Sequence, residues 1–304
     1  MKSISTTIAA VFSLALSYGS VGITHSGDSV VTERFTYTET AAHRLPVKPL
    51  GDTRKKSFIE SPYKLSWKTD GIILGVAIGT ELIAYSMDDS RTPLTLEQAT
   101  SFTHRNVHWF DRSATYKFNK NLMPLSDQLG SFALIVPLSL LADKGVRKDI
   151  LTVGTMFLEV RRLSVNLPTI AKSGITRYRP YVYNPDVSYA DKVEKDPGKS
   201  FFSSQSTAVF SSAVFIASVF SDYHPESKAK RWIWAGSLAA ATAISVVRYE
   251  TGIHYTSDLI VGAAVGSAIG YFIPKLHKIN KNQNISLTPG YSQGAYTMLA
   301  QIKI

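Results

Sequence analysis

Residues 248–273 read RYETGIHYTSDLIVGAAVGSAIGYFI, and their character changes halfway. The first part sets charged and imidazole groups at fixed intervals: Arg248, then His254, then Asp258. The second part is apolar and carries Gly262, Gly266 and Gly270, each four residues apart. That interval puts the glycines on one stripe of a helix, where the backbone of another helix can approach closely. It also puts His254 and Asp258 on one face where the helix starts, with Arg248 at the end of the helix before. Taken singly, a His–Asp pair at a helix start is more often structural. Its functional counterpart has Asp258 holding one ring nitrogen while the other faces an electrophile.

Working outward, the chain from Asp70 onward consists of apolar blocks joined by polar connections. The blocks are Ile72–Tyr85, Phe132–Ala142, Leu151–Ile170, Thr207–Phe220, Trp232–Val247 and Leu259–Ile273. Each is rich in Ala, Leu, Ile, Val and Gly and long enough for several helical turns, with Asp70 and Ser126–Asp127 as plausible caps. Most fall short of the roughly 20 apolar residues of a full membrane span, and Glu81 interrupts the first. Block length therefore favours a soluble or membrane-surface helical domain over a multi-span protein.

The ends differ from this middle. Residues 1–22 combine Lys2, an apolar run from Ile8 to Leu16, and small residues at Ser17, Gly19, Ser20 and Gly22. That order fits a secretory signal peptide. Residues 23–69 are polar, without helical period, and read as an extended arm; 70–280 form the helical domain; 281–304 alternate apolar and polar residues around turns, as in a short C-terminal β-hairpin. The expected location is therefore the periplasm or cell envelope, with membrane association. The chain has 33 Lys+Arg against 23 Asp+Glu, a net charge of +10, which favours anionic partners such as phosphate groups or an acidic membrane surface. It contains no cysteine, which excludes disulfides, thiolate metal sites and thiol nucleophiles. No nucleic-acid-binding module is recognisable.

Two further polar clusters flank helix ends. Lys172 and Arg179–Pro180, with Arg177 between them, make a cationic patch; Arg grips phosphate oxygens in pairs, and Lys acts as a point charge. Phe201–Thr207 (FFSSQST) places serines at the start of the Thr207–Phe220 block. Serines there cap a helix, and the same free N–H groups can bind a phosphate.

In this order, K-x6-R-P, a serine-rich helix start and R-x5-H-x3-D, the clusters resemble the type 2 phosphatidic acid phosphatase superfamily. Lys172, Arg179 and Pro180 match its first motif, and Arg248, His254 and Asp258 match its third at full spacing. The resemblance implies an all-α fold, a six-helix bundle of the type 2 phosphatidic acid phosphatase kind, and hydrolysis of a phosphate monoester or diphosphate, plausibly on a lipid. It implies that Lys172, Arg179, Arg248 and Ser204 bind the phosphate, and that His254, oriented by Asp258, attacks phosphorus to give a phosphohistidine. No cofactor and no metal is expected. The implied partners are a phosphorylated small molecule, a phospholipid or a polyprenyl diphosphate.

The second motif departs from the family pattern P-S-G-H. Ser206 stands where the family has its general-acid histidine, and Val247 replaces the serine before Arg248. General acid catalysis contributes roughly 10²–10⁴-fold, and a serine hydroxyl is far too weak an acid to supply it. Three readings stay open: a catalytically impaired phosphate- or lipid-binding protein, another proton donor such as His224, or a diphosphate substrate whose leaving group needs no proton. Elsewhere, His104 and His108 could ligate a metal but lack a third ligand, and Trp109–Arg112 looks like an amphipathic helix entry.

Overall fold

The structure is a computed structural model that describes residues 7–13, 21–26, 30–33, 61–87, 94–194, 196–279, 285–292 and 295–303. It divides into two units, one of residues 58–278 and one of residues 1–57 with 279–304. The first is helical. Its described residues form α1 (Trp67–Ser86), α2 (Leu96–Ser101), α3 (Leu122–Phe132), α4 (Lys144–Lys148), α5 (Ile150–Gly174), α6 (Tyr189–Glu194), α7 (Ser204–Tyr223), α8 (Lys230–Glu250) and α9 (Thr256–His277). In the second unit, strands β1 (Thr7–Ser13), β2 (Val21–Ser26), β3 (Val30–Glu33), β4 (Ile285–Ser292) and β5 (Ala295–Lys303) form an antiparallel sheet in the order β3-β2-β1-β5-β4. Much of the expected signal peptide and most of the expected arm lie outside the described residues.

Helices α1, α5, α7, α8 and α9 carry five of the apolar blocks, while the block Phe132–Ala142 begins at the end of α3 and runs through the 3₁₀ segment Val136–Ala142; the unit is the all-α bundle expected. Its core lies between α5, α7 and α9, where Met156, Val160, Phe215, Val219, Ile269 and Ile273 are buried together. The glycine stripe explains how closely α7 and α9 approach. A Cβ on Gly262, Gly266 or Gly270 would stand 2.7, 2.2 or 2.4 Å from the carbonyl oxygens of Ser203, Thr207 and Ser211, respectively. Ser203, the cap of α7, and Thr207 and Ser211 within it are themselves four apart, so two stripes of small residues face each other.

Some boundaries differ from the sequence expectation. Ser126 and Asp127 do not cap the second block, because α3 already starts at Leu122; Pro137 falls in the 3₁₀ turn Val136–Ala142 that follows. Asp70 sits inside the first turn of α1, where its carboxylate accepts the Ser66 N–H. Trp109–Arg112 is a turn leading into the 3₁₀ segment Arg112–Tyr116 rather than an amphipathic helix, and Asp111 is buried.

The larger correction concerns the membrane. Four segments, Trp67–Ser86, Leu122–Ala142, Ser204–Tyr223 and Thr256–His277, have 20, 21, 20 and 22 residues and are long and apolar enough to cross a bilayer. The length of the uninterrupted apolar blocks understates them, because small and polar residues at the helix ends extend each one. Nor is their apolar surface all in the core. Helix α1 buries only Ile73 and Ala77, while Ile72, Leu74, Val76, Ile78, Leu82 and Ile83 are exposed. An exposed apolar face of that extent is lipid-facing rather than water-facing. The helical unit is membrane-associated.

Candidate phosphate site

Four helix ends meet at one end of the bundle: the C-termini of α5 and α8 and the N-termini of α7 and α9. Lys172 lies in the last turn of α5, Arg248 in the last turn of α8, and Arg179 just beyond α5, ahead of the turn Pro180–Tyr183. Pro180 occupies the first position of that turn, where a missing N–H costs nothing. Between α8 and α9 the chain reverses through Gly252 at φ 75°, where a side chain would collide with the Lys117 carbonyl. The reversal returns His254 to Arg248.

His254 is almost fully buried, with a side chain 2% exposed. Burial first, and then the charges of Arg179, Arg248 and Lys172, lower its pKa to about 3, against the pull of Asp258 in the other direction. The ring is therefore neutral at ordinary pH, with a free lone pair, as a nucleophile requires. The same cations act on one another. Burial, then Arg179 and Arg248, push Lys172 down to about 8, although its ammonium group donates to Ser204 Oγ at 2.8 Å. Arg248 donates to Asp127 Oδ1 at 2.7 Å, and its buried Nε has no hydrogen-bond partner. His254 Nδ1 is likewise buried without one. A cavity of about 480 Å³ opens beside Arg179 and Arg248, and Asp127, Lys120, Tyr181 and Ile253 also line it. A second, more apolar cavity of about 390 Å³ lies between α8 and α9, against Ser245, Val246, Leu259 and Ile260.

Asp258 takes part in two arrangements. It is the third residue of α9, and one carboxylate oxygen accepts the Tyr255 N–H at 3.0 Å, which is a local capping role. That oxygen also accepts from Ser200 Oγ and stands 3.6 Å from His254 Nδ1, slightly beyond hydrogen-bond reach. Its other oxygen accepts from Arg177. Arg177 thus faces the carboxylates and is not part of the phosphate-facing cationic patch. It also donates to Ser257 Oγ at 2.9 Å and to Asp111 Oδ2 at 2.8 Å, and its guanidinium stacks 4.3 Å from the Tyr255 ring. Asp111 in turn accepts from the Ser257 backbone N–H and hydroxyl. This brace has no counterpart in the sequence reading. Asp111 lies far before Arg177 and Ser257 in the chain, and nothing in WFDR marks it.

At the start of α7, Ser203 caps the helix by accepting the Ser206 N–H, and Ser204 meets Lys172. Gln205 turns away and donates to the Ser126 carbonyl at 2.7 Å. Ser206 is 1% exposed; its hydroxyl donates to the Leu259 carbonyl at 2.8 Å and lies 3.3 Å from Ser245 Oγ. The hydroxyl is thus committed to α9, and Gly262 packs directly against its Cβ. His224 cannot stand in for the missing acid. It pairs with Asp143 at 2.8 Å at the far end of α7, about 30 Å from Ser204 along the axis. His104 bonds Thr115 at 2.6 Å and stacks on Tyr116, which are packing contacts.

A neutral buried imidazole, three convergent cations and a helix N-terminus together suit an oxyanion held against a nucleophile. The part of the chain that carries them, residues 152–282, matches the PAP2 superfamily model. A search of curated proteins returns no match. Among solved structures the chain is similar to a transmembrane PAP2-type phosphatidylglycerolphosphate phosphatase from Bacillus subtilis. The identity is 22%, over 68% of this chain and 89% of that one, with a TM-score of 0.30, too slight a likeness to bear on this chain.

Proposed function

We propose that the protein is a phosphatase of the PAP2 type that hydrolyses a phosphate monoester or diphosphate on a lipid, through a phosphohistidine on His254. The observation that carries this reading is the pair of buried groups without partners, Arg248 Nε and His254 Nδ1, within a cluster of three cations. Leaving such groups unpaired is costly, and a phosphate oxygen would supply what Arg248 lacks. Lys172, Arg179 and Arg248 neutralise the charge that builds on the equatorial oxygens, and His254 Nε2 attacks phosphorus. The proton on Nδ1 is held toward Asp258; closing their 3.6 Å separation by about half an ångström restores a hydrogen bond, and such contacts often tighten only when substrate binds. Water then cleaves the phosphohistidine and releases inorganic phosphate.

Ser206 has no part in the proton transfer, because its hydroxyl serves the Leu259 carbonyl. Lys172 is the better donor to the leaving oxygen, since its pKa of about 8 leaves it protonated at neutral pH yet more acidic than an ordinary lysine. Such a donor suits a leaving group that is itself a phosphate, which favours a polyprenyl or similar lipid diphosphate over an alkyl phosphate. The apolar cavity against Leu259 and Ile260 is suited to a lipid chain. The expected signal peptide would put the site in the periplasm or cell envelope.

The test is rapid acid-free quenching of the full chain with ³²P-labelled lipid diphosphate. A labelled adduct that His254→Ala removes, together with loss of phosphate release by at least 10³-fold, is the expected result. Absence of both adduct and phosphate release with lipid and soluble substrates would leave a phosphate- or lipid-binding protein on the same scaffold.

A further inference from the structure

Far from His254, three helices bring an imidazole and two carboxylates together. His277 ends α9, Asp70 lies in the first turn of α1, and Glu159 sits on α5. His277 Nε2 is 2.7 Å from Asp70 Oδ1 and 3.4 Å from Glu159 Oε2, and the three ligand atoms lie within 4.8 Å of one another. His277 and Glu159 are buried, at 1% and 6% exposure, while the Asp70 side chain is 23% exposed and opens the cluster to one side.

The tautomer of His277 is fixed. Its Nδ1 lies 2.8 Å from the Ile273 carbonyl, which can only accept, so Nδ1 carries the proton and Nε2 faces the carboxylates. This is how a ligating histidine is usually held, its second nitrogen tied to a backbone carbonyl. Nε2 faces both carboxylates, and the buried Glu159 Oε2 has no hydrogen-bond partner. A divalent ion bonded to Nε2 and to one oxygen of each carboxylate gives Glu159 Oε2 its partner. Two ligands each about 2.1 Å from a tetrahedral ion stand about 3.4 Å apart, which matches the His277–Glu159 separation; the Asp70–His277 pair would open by a few tenths of an ångström.

We propose that Asp70, Glu159 and His277 bind one divalent transition-metal ion, Zn²⁺ or Mn²⁺, which ties α1 and α5 to the end of α9. One imidazole and two carboxylates suit those ions, and the open side at Asp70 leaves room for a water as a further ligand. The site is structural. From Asp258 to His277 along α9 is about 28 Å, so the ion takes no part in the chemistry at His254.

The test uses the full chain, free of affinity tags, in detergent, stripped with chelator and reloaded with Zn²⁺, Mn²⁺ or Co²⁺. About one equivalent of metal should remain after gel filtration and raise the thermal midpoint, and Co²⁺ should give a visible d–d absorption band. Glu159→Gln and Asp70→Asn should each weaken binding at least tenfold and abolish the thermal shift; His277→Gln should remove the band. Wild-type protein that retains no metal at micromolar free concentration would overturn the proposal without recourse to any variant. So would equal retention by wild type and Glu159→Gln, which would locate the ion elsewhere.

Discussion

Lys172 shows how a residue's neighbours, rather than its type, set its chemistry. An exposed lysine titrates too high to give up a proton at neutral pH, but burial near Arg179 and Arg248 brings this one to about 8. Below that pH it carries the charge and the proton that the proposed reaction would use on the phosphate and its leaving group; above it, both are lost. Phosphate release should therefore fall on the alkaline side with a midpoint near 8, measured as kcat/KM against pH. Lys172→Arg keeps the charge but cannot give up its proton, so the alkaline fall should vanish. The same variant should lose about 10²-fold on an alkyl monoester and markedly less on a diphosphate. A uniform loss on both substrates would assign Lys172 to binding alone. Ser206, by contrast, is polar yet inert, because its one hydroxyl proton belongs to a helix carbonyl.

At the scale of the element, the pairing of α7 with α9 decides the geometry of the site. Small residues at 203, 207 and 211 on one helix face glycines at 262, 266 and 270 on the other, and the backbones come close enough for Ser206 to reach Leu259. This contact sets the start of α7, with Ser204, beside the start of α9, with Asp258. Gly266 is the tightest point, where an added methyl would stand 2.2 Å from the Thr207 carbonyl oxygen. Gly266→Ala should force the helices apart and cost about 1–3 kcal/mol, read as a lower thermal midpoint in detergent. It should also lower phosphate release although residue 266 touches no substrate. Gly236→Ala on α8, where the added carbon meets nothing within 4 Å, is the matched control: it should leave phosphate release unchanged and hold or slightly raise the midpoint, since alanine suits a helix better than glycine.

Across the whole molecule, the candidate nucleophile is also a buried imidazole that bears on stability. His254 has a folded pKa of about 3, below its ordinary 6.5. As pH falls through 6.5 the unfolded chain takes up a proton that the folded chain refuses until about 3, so stability present above 6.5 is lost between those values. The full effect is on the order of 5 kcal/mol. Unfolding midpoints recorded from about pH 7 to about pH 4 should drop steeply for the wild type and more gently for His254→Gln; parallel curves would contradict the assignment. On the same scale, the exposed apolar face of α1 and four segments of spanning length place the bundle against lipid, with the candidate phosphate site gathered at one end.

Much of this is legible in the chain itself. Helix periodicity, the glycine stripe, and the intervals from Lys172 to Arg179 and from Arg248 through His254 to Asp258 are local, so they survive in one dimension. Span length is not, because apolar blocks omit the small and polar residues that extend each helix. Nor is the brace of Asp111 on Arg177, since its partners approach only when the loop before α3 folds onto α9. The same holds for the cluster of Asp70, Glu159 and His277, which are scattered over three helices.

The sequence by itself determined the helical bundle and the candidate nucleophile with its cations, because side-chain spacing along a helix fixes which groups share a face. Only the tertiary structure decided what each group can do. It made His254 neutral, Lys172 more acidic than an ordinary lysine and Ser206 unavailable, because desolvation, neighbouring charge and competing hydrogen bonds exist only once distant segments are packed together.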